Sequence, residues 1–131
     1  MANDEKRILL VDDHDATRET LTELIRDLGH AVRAAANQAE AVKLVDSQKF
    51  ELVLTDLKLP DGSGLEVMRR RKQASPETPV VMITGHATIE NAVEATRMGA
   101  YEYLTKPVDL NRLRIVISNA LYLSTLERKV G

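Results

Sequence analysis

The sequence has no cysteine and no tryptophan, and only one phenylalanine and three tyrosines in 131 residues. Without cysteine there is neither a disulfide nor a thiolate metal site, a composition that fits a reducing, cytoplasmic setting. With so few aromatics, any core is built from aliphatic side chains. An excess of one charge is lacking too. Eighteen Lys and Arg against twenty Asp and Glu leave a formal net charge of −2, so no basic field points to nucleic acid or an anionic membrane. No apolar run approaches the roughly 20 residues of a membrane span, and the opening MANDEKR is too polar for a signal peptide. No G-x-G-x-x-G follows the first apolar run, which disfavours dinucleotide or flavin binding.

What is present is an alternation of strand-like and helix-like segments. Ile8–Val11 is a continuous aliphatic run of the kind a buried strand shows. Asp15–Leu28 follows with Leu21, Leu24, Ile25 and Leu28 at helical spacing, closed by Gly29. A short strand is expected over His30–Ala35, then a helix capped by Asn37 with Glu40 as its capping-box partner. Leu52–Thr55 is a third strand ending at Asp56 and a Pro/Gly turn. Ser63 and Glu66 frame a helix to about Lys72 by the same S-x-x-E logic. Val80–Thr84, a helix from Thr88 to Met98, a strand at Glu102–Leu104 and a last helix from Asp109 complete the pattern. Five strands alternating with five helices predict a doubly wound α/β domain with a parallel sheet. Neither a repeat nor an interior linker suggests a second domain.

On the last helix, Leu110, Leu113, Ile117 and Leu121 suit packing on a sheet. Val116, Leu123 and Val130 recur every seven residues beside Leu126. That stripe reads either as an amphipathic end or as the start of a dimerising coil.

The chemistry lies where the strands stop. Open α/β sheets place ligands at the carboxyl ends of their strands. There the sequence puts Asp12 and Asp13, Asp56, Thr84 and, just past the fifth strand, Lys106. Carboxylates about 5 Å apart repel by roughly 3 kcal/mol per pair at an effective dielectric near 20, so a cation is needed. Lys106 supplies one charge. An all-oxygen donor set without cysteine or paired histidine favours Mg²⁺, completed by waters and phosphate oxygens, as the second.

The stretches ILLVDD, LVLTDLKLPDGSGLEVM, PVVMITGHA and GAYEYLTKPVD closely resemble the receiver domain of bacterial two-component response regulators. GHATIENAVEATRMGAYEYLTKPVDLNRL is most similar to the NtrC-like (sigma-54 activator) branch. The resemblance implies the flavodoxin-like (βα)5 fold with strand order 2-1-3-4-5, the order of a chemotaxis protein that itself illustrates the general rule. It implies a receiver over residues 7–121, a tail at 1–6, and a helix extension at 122–131 leading toward an output domain; a stand-alone regulator is the alternative.

By position, the resemblance makes Asp56 the phosphoacceptor for a sensor histidine kinase. It makes Asp13 and Asp56 direct Mg²⁺ ligands, Asp12 one acting largely through water, and Lys58 a ligand through its backbone carbonyl, with Mn²⁺ an acceptable substitute. Thr84 and Lys106 match the hydroxyl and ammonium that bind the phosphoryl group. Tyr103 matches the aromatic whose rotamer accompanies activation. Lys106–Pro107 matches a peptide bond that is usually cis. Lys58 and His86 occupy positions that modulate dephosphorylation, and a lysine at the first suggests a long-lived phosphorylated state. His14 and His30 read as structural or exposed.

The implied function is a phosphorylation-controlled switch rather than a turnover enzyme, acting on transcription through an ATPase and DNA-binding portion. It implies a homodimer through the helix-4, strand-5, helix-5 face and the terminal helix, with no direct nucleic-acid or membrane binding by this chain. A Mg²⁺-dependent aspartyl phosphatase is the enzymatic rival, but its second acid/base Asp would stand at position 58, where the chain has lysine. A phosphorylation-independent docking module is the third reading; such modules typically lose the acidic pair, the acceptor or the lysine, all present here.

Overall fold

The structure, a computed structural model, describes residues 6–130, with side chains described through residue 123. Leu126 and Val130 of the heptad stripe, and all of the expected tail but Lys6, therefore fall outside the described side chains. Strands β1 (Arg7–Val11), β2 (Ala31–Ala35), β3 (Leu52–Asp56), β4 (Val80–Thr84) and β5 (Glu102–Thr105) form one sheet in the order β2-β1-β3-β4-β5. All its pairings are parallel. Between them run α1 (Asp15–Asp27), α2 (Gln38–Ser47), α3 (Gly64–Ala74) and α4 (Ile89–Arg97), and α5 (Leu110–Val130) closes the chain. This is the doubly wound order 2-1-3-4-5.

Successive strand residues point to opposite sides of a sheet, and here both sides are apolar. Ile8, Leu10, Leu52, Leu54, Val81 and Ile83 pack with α1 and α5 through Leu21, Leu24, Ile25, Leu113 and Ile117. Leu9, Val11, Val53, Val80 and Met82 meet Ala41, Val45, Val67 and Met68 of α2 and α3. Covering both faces explains why the strands read as unbroken aliphatic runs. Each fully buried aliphatic side chain contributes roughly 1.5–3 kcal/mol relative to exposure.

Register then builds the site. Val11 lies opposite both Ala35 and Thr55, Asp56 opposite Ile83, and Thr84 opposite Thr105. The strands thus finish in step, and the residues at their carboxyl ends share one edge.

The caps agree in part with the sequence. Asn37 Oδ1 accepts from Glu40 N at 2.9 Å, but Glu40 Oε1 reaches one residue past the expected capping box, accepting from Ala36 N at 2.8 Å rather than from Asn37 N. Thr88 accepts from Asn91 N. Ser63 caps α3 through Leu65 N, but Glu66 turns to Arg69 instead of closing a capping box. Guanidinium at i+3 offers the carboxylate a charged partner, which a backbone N–H cannot match. On α5, Leu110 is exposed rather than sheet-packed, and Val116 is buried in the core beside Leu113 and Ile117. The apolar stripe of this helix is therefore wider than a heptad seam, and Val116 belongs to the domain rather than to a coil.

The turn expected after Asp56 has structure of its own: Lys58–Leu59 and Gly62–Ser63 form a two-residue antiparallel ladder separate from the main sheet.

Candidate functional site

The carboxyl edge of the sheet holds a crevice of about 350 Å³ lined by Asp13, His14, Asp56, Lys58, Leu59, Pro60, Gly85, His86 and Lys106. At its floor lie Asp12 and Asp56, only 2% and 5% exposed. Lys106 Nζ donates to Oδ2 of both carboxylates, at 2.9 Å each. One ammonium thus bridges two carboxylates that would otherwise repel across a low-dielectric floor.

The same contacts act on the lysine. Burial alone pushes Lys106 down, but the hydrogen bonds and charges of Asp56 and Asp12 outweigh it and hold its pKa above the ordinary lysine value. Asp12 is fixed from both sides: its N–H donates to the Ala35 carbonyl, and its Oδ1 accepts from His14 N at 2.8 Å. Arg18 donates to the Asp12 carbonyl and pairs with Asp15.

Asp56 Oδ1 accepts a long hydrogen bond, 3.3 Å, from Lys58 N. Behind it α3 approaches closely, because Gly64 has no side chain: a Cβ there would stand 2.3 Å from the Asp56 carbonyl oxygen. Thr84 is fully buried, and its Oγ1 accepts from His86 N at 2.9 Å, within its own loop. Tyr103 is half-buried against the apolar cluster under α2–α4, and its buried hydroxyl has no hydrogen-bond partner among the described residues. The Lys106–Pro107 peptide is cis. Lys58 and His86 are exposed on the crevice rim.

A divalent ion fits this donor set. Asp12, Asp13, His14 and Asp56 each offer one ligand atom, and all four atoms lie within 4.8 Å of one another. Octahedral bonds of about 2.1 Å space ligands roughly 3 to 4.2 Å apart, so small side-chain rotations bring the carboxylates onto one ion.

Sequence reasoning placed Asp12, Asp13, Asp56, Thr84 and Lys106 at one edge, and they meet there. His14 was read as structural or exposed; it is exposed, but its Nδ1 lies 3.4 Å from Asp13 Oδ1 and 3.5 Å from Asp12 Oδ1, at the mouth of the crevice. Its place directly after the acidic pair was the available signal. Gln38 and Asp61, which hold the loop after Asp56, were also missed. Their contact spans 23 residues and left no local trace.

Comparison with known proteins agrees with the geometry. The pattern of the family described as the response regulator receiver domain matches residues 8–118. The response regulator protein PilR of Pseudomonas aeruginosa is 42% identical over 122 residues, which cover 93% of this chain but 27% of that protein. The chain thus spans about a quarter of that relative's length. A CheY-like receiver domain protein from Methanospirillum hungatei superposes with a TM-score of 0.90 at 33% identity, covering 94% of this chain and 98% of that one. The beryllofluoride-activated NtrC4 receiver domain dimer gives 0.84 at 32% identity, covering 90% and 98%.

Proposed function

The chain belongs to the response regulator receiver domain family, on its NtrC-like branch, and from that premise we propose that it is a phosphoacceptor switch that takes a phosphoryl group on Asp56 from a sensor histidine kinase. The observation that carries this reading is the single ammonium of Lys106 bridging Asp12 and Asp56 at the sheet's carboxyl edge.

Asp12, Asp13, Asp56 and the backbone carbonyl of Lys58 are the groups that would hold Mg²⁺, or Mn²⁺ in its place. Bound there, the ion would neutralise phosphoryl oxygens, which is most of what phosphoryl transfer asks of a site. An Asp56 carboxylate oxygen attacks phosphorus while the bond from phosphorus to the donor histidine nitrogen breaks, and that nitrogen keeps the electron pair. The product is an acyl phosphate. Lys106 is already within reach and can turn its N–H groups from the Asp56 carboxylate to the new phosphoryl oxygens.

Thr84 can donate its hydroxyl to the phosphoryl group as well, and the rotation toward it would break the bond its oxygen accepts from His86 N and free the loop before α4. Tyr103 lies on the neighbouring strand β5, opposite Met82 of β4. A local charge change then biases a two-state element.

The readout face is the α4–β5–α5 side. Every exposed large apolar side chain among the described residues lies on α4 or α5: Ile89, Val93, Leu110, Ile115, Tyr122 and Leu123. We assign this face to a homodimer and to control of a transcription-regulating ATPase and DNA-binding portion. The similarity to an activated receiver dimer supports the first part. No described helix is long and apolar enough to cross a membrane, and a cytoplasmic setting fits this role.

Isothermal calorimetry with Mg²⁺ tests the site directly. Wild type should bind one ion, and Asp13→Asn, which leaves the Lys106 bridge intact, should lose at least tenfold in affinity. Equal affinity in the two proteins would remove Asp13 from the site.

A further inference from the structure

We infer that Gln38 and Asp61 form a latch that positions the acceptor hairpin, making the N-terminus of α2 part of the phosphotransfer machinery. The inference rests on the phosphoacceptor reading of Asp56.

The hairpin that carries Lys58 has little to hold it. Its ladder, Lys58 opposite Ser63 and Leu59 opposite Gly62, pairs with no strand of the main sheet. A ladder this short is not stable by itself. Burial of Leu57 and Leu59 anchors the first half, whereas the second half, residues 60–63, is half-buried or exposed.

The missing support comes from 22–25 residues upstream. Asp61 Oδ1 accepts from Gln38 N at 2.7 Å, and Oδ2 accepts from Ala39 N at 3.0 Å. These are the first two N–H groups of α2, which no intrahelical bond can satisfy, and the helix dipole favours a carboxylate there. In return Gln38 Oε1 accepts from Ser63 N at 2.8 Å. The three bonds run in both directions between two short segments, so the hairpin cannot slide without breaking them together.

Gly62 completes the fit. A Cβ at this position would lie 1.8 Å from Gln38 Oε1. Its φ is not in the left-handed region, so the glycine serves the Gln38 carboxamide and not a turn. The latched hairpin begins at Lys58, whose N–H already reaches Asp56 Oδ1 and whose carbonyl is a proposed metal ligand. A loosened hairpin therefore misplaces a ligand and the acceptor's own hydrogen bond, while the five-stranded sheet stays intact.

The test compares Gln38→Met, Gly62→Ala and Asp61→Ala with Gln38→Glu, which keeps an acceptor oxygen, and with Thr78→Val. The last removes a hydroxyl that donates to the Phe50 carbonyl at the opposite end of the sheet, and so lowers stability away from the site. Mg²⁺ affinity by calorimetry and phosphoryl uptake from acetyl phosphate by intact mass are measured where circular dichroism shows each protein folded. The first three variants should lose about five- to tenfold in Mg²⁺ affinity, the scale of one lost hydrogen bond, and take up phosphoryl more slowly. Gln38→Glu should lie near wild type, and Thr78→Val should melt earlier with unchanged Mg²⁺ affinity.

Wild-type affinity and uptake in the first three variants would overturn the latch. So would an affinity loss in Thr78→Val matching theirs, which would make the effect one of stability alone. Wild type that takes up no phosphoryl group would instead overturn the phosphoacceptor reading beneath it.

Discussion

Lys106 carries two contacts, and its titration is the residue-level test of the site. Its pKa is raised, so the stability it contributes is fully present below the ordinary lysine value of about 10.4 and is lost as pH rises through its folded value. Carbon-detected NMR of the lysine Cε signals should show one resonance titrating after all the others, and Lys106→Arg should remove it. A Lys106 that titrates with the exposed lysines would mean that the bridge to Asp12 and Asp56 is not kept in solution. Lys58 offers a second test at this scale. On the crevice rim its ammonium can shield an acyl phosphate from water, so Lys58→Asn should shorten the lifetime of the phosphorylated protein several-fold. An unchanged decay rate would leave Lys58 with only its proposed backbone role. The acidic pair, Asp56, Thr84 and Lys106 were legible in the sequence because each ends a strand or follows one within two residues, and most of those strand ends can be read from aliphatic runs. His14 was less so, because one exposed histidine acquires meaning only from the carboxylates beside it.

The elements were legible where local rules act and less so where tertiary contacts override them. Asn37 and Thr88 cap the helices their spacing predicts, since the cap and its N–H are three residues apart. Glu66 fits a capping box equally well by spacing, yet takes Arg69, and only the structure reveals that choice. Val116 fits a heptad seam by number, but the sheet beneath α5 buries it. Asp61 is the clearest long-range case. The Gln38 N–H lowers its pKa most; desolvation opposes this, and the Ala39 N–H and its own backbone N–H add to the lowering, although the side chain stays exposed. A depressed carboxylate contributes stability above its unfolded pKa and loses it as pH falls through the folded value. The benefit of Asp61 over Asp61→Asn, read from urea midpoints, should therefore be present at pH 7, begin to fall at about pH 4 and be gone once the pH is below the lowered folded value. A difference independent of pH would assign the effect to shape rather than charge. Gly64→Ala tests the other approach to Asp56. A backbone carbonyl cannot yield as a flexible side chain can, so the substitution should destabilise by about 1–3 kcal/mol in the same urea experiment.

For the whole molecule, fold and site have one cause. Parallel strands ending in register, with helices packing their apolar sides on both faces, bring the strand ends to one edge, and that edge carries the carboxylates and the lysine. The sequence contains the fold order only through the family resemblance; alternation alone predicts a parallel sheet without fixing which strands are neighbours. The proposed output surface lies to one side, where α4 and α5 expose Ile89, Ile115 and Tyr122. Sedimentation with a phosphoryl mimic should show a change in the monomer–dimer equilibrium, and Ile115→Glu should abolish it; a monomer under every condition would contradict the assigned dimer face.

Everything proposed for this protein depends on this edge being a working phosphoacceptor. Intact mass after incubation with acetyl phosphate measures it most directly, with Mg²⁺, with chelator and with Asp56→Asn. One added phosphoryl group is expected, requiring Mg²⁺ and missing from the Asp56→Asn protein. A folded wild type that gains no phosphoryl group, or an Asp56→Asn protein that gains it equally, would contradict it.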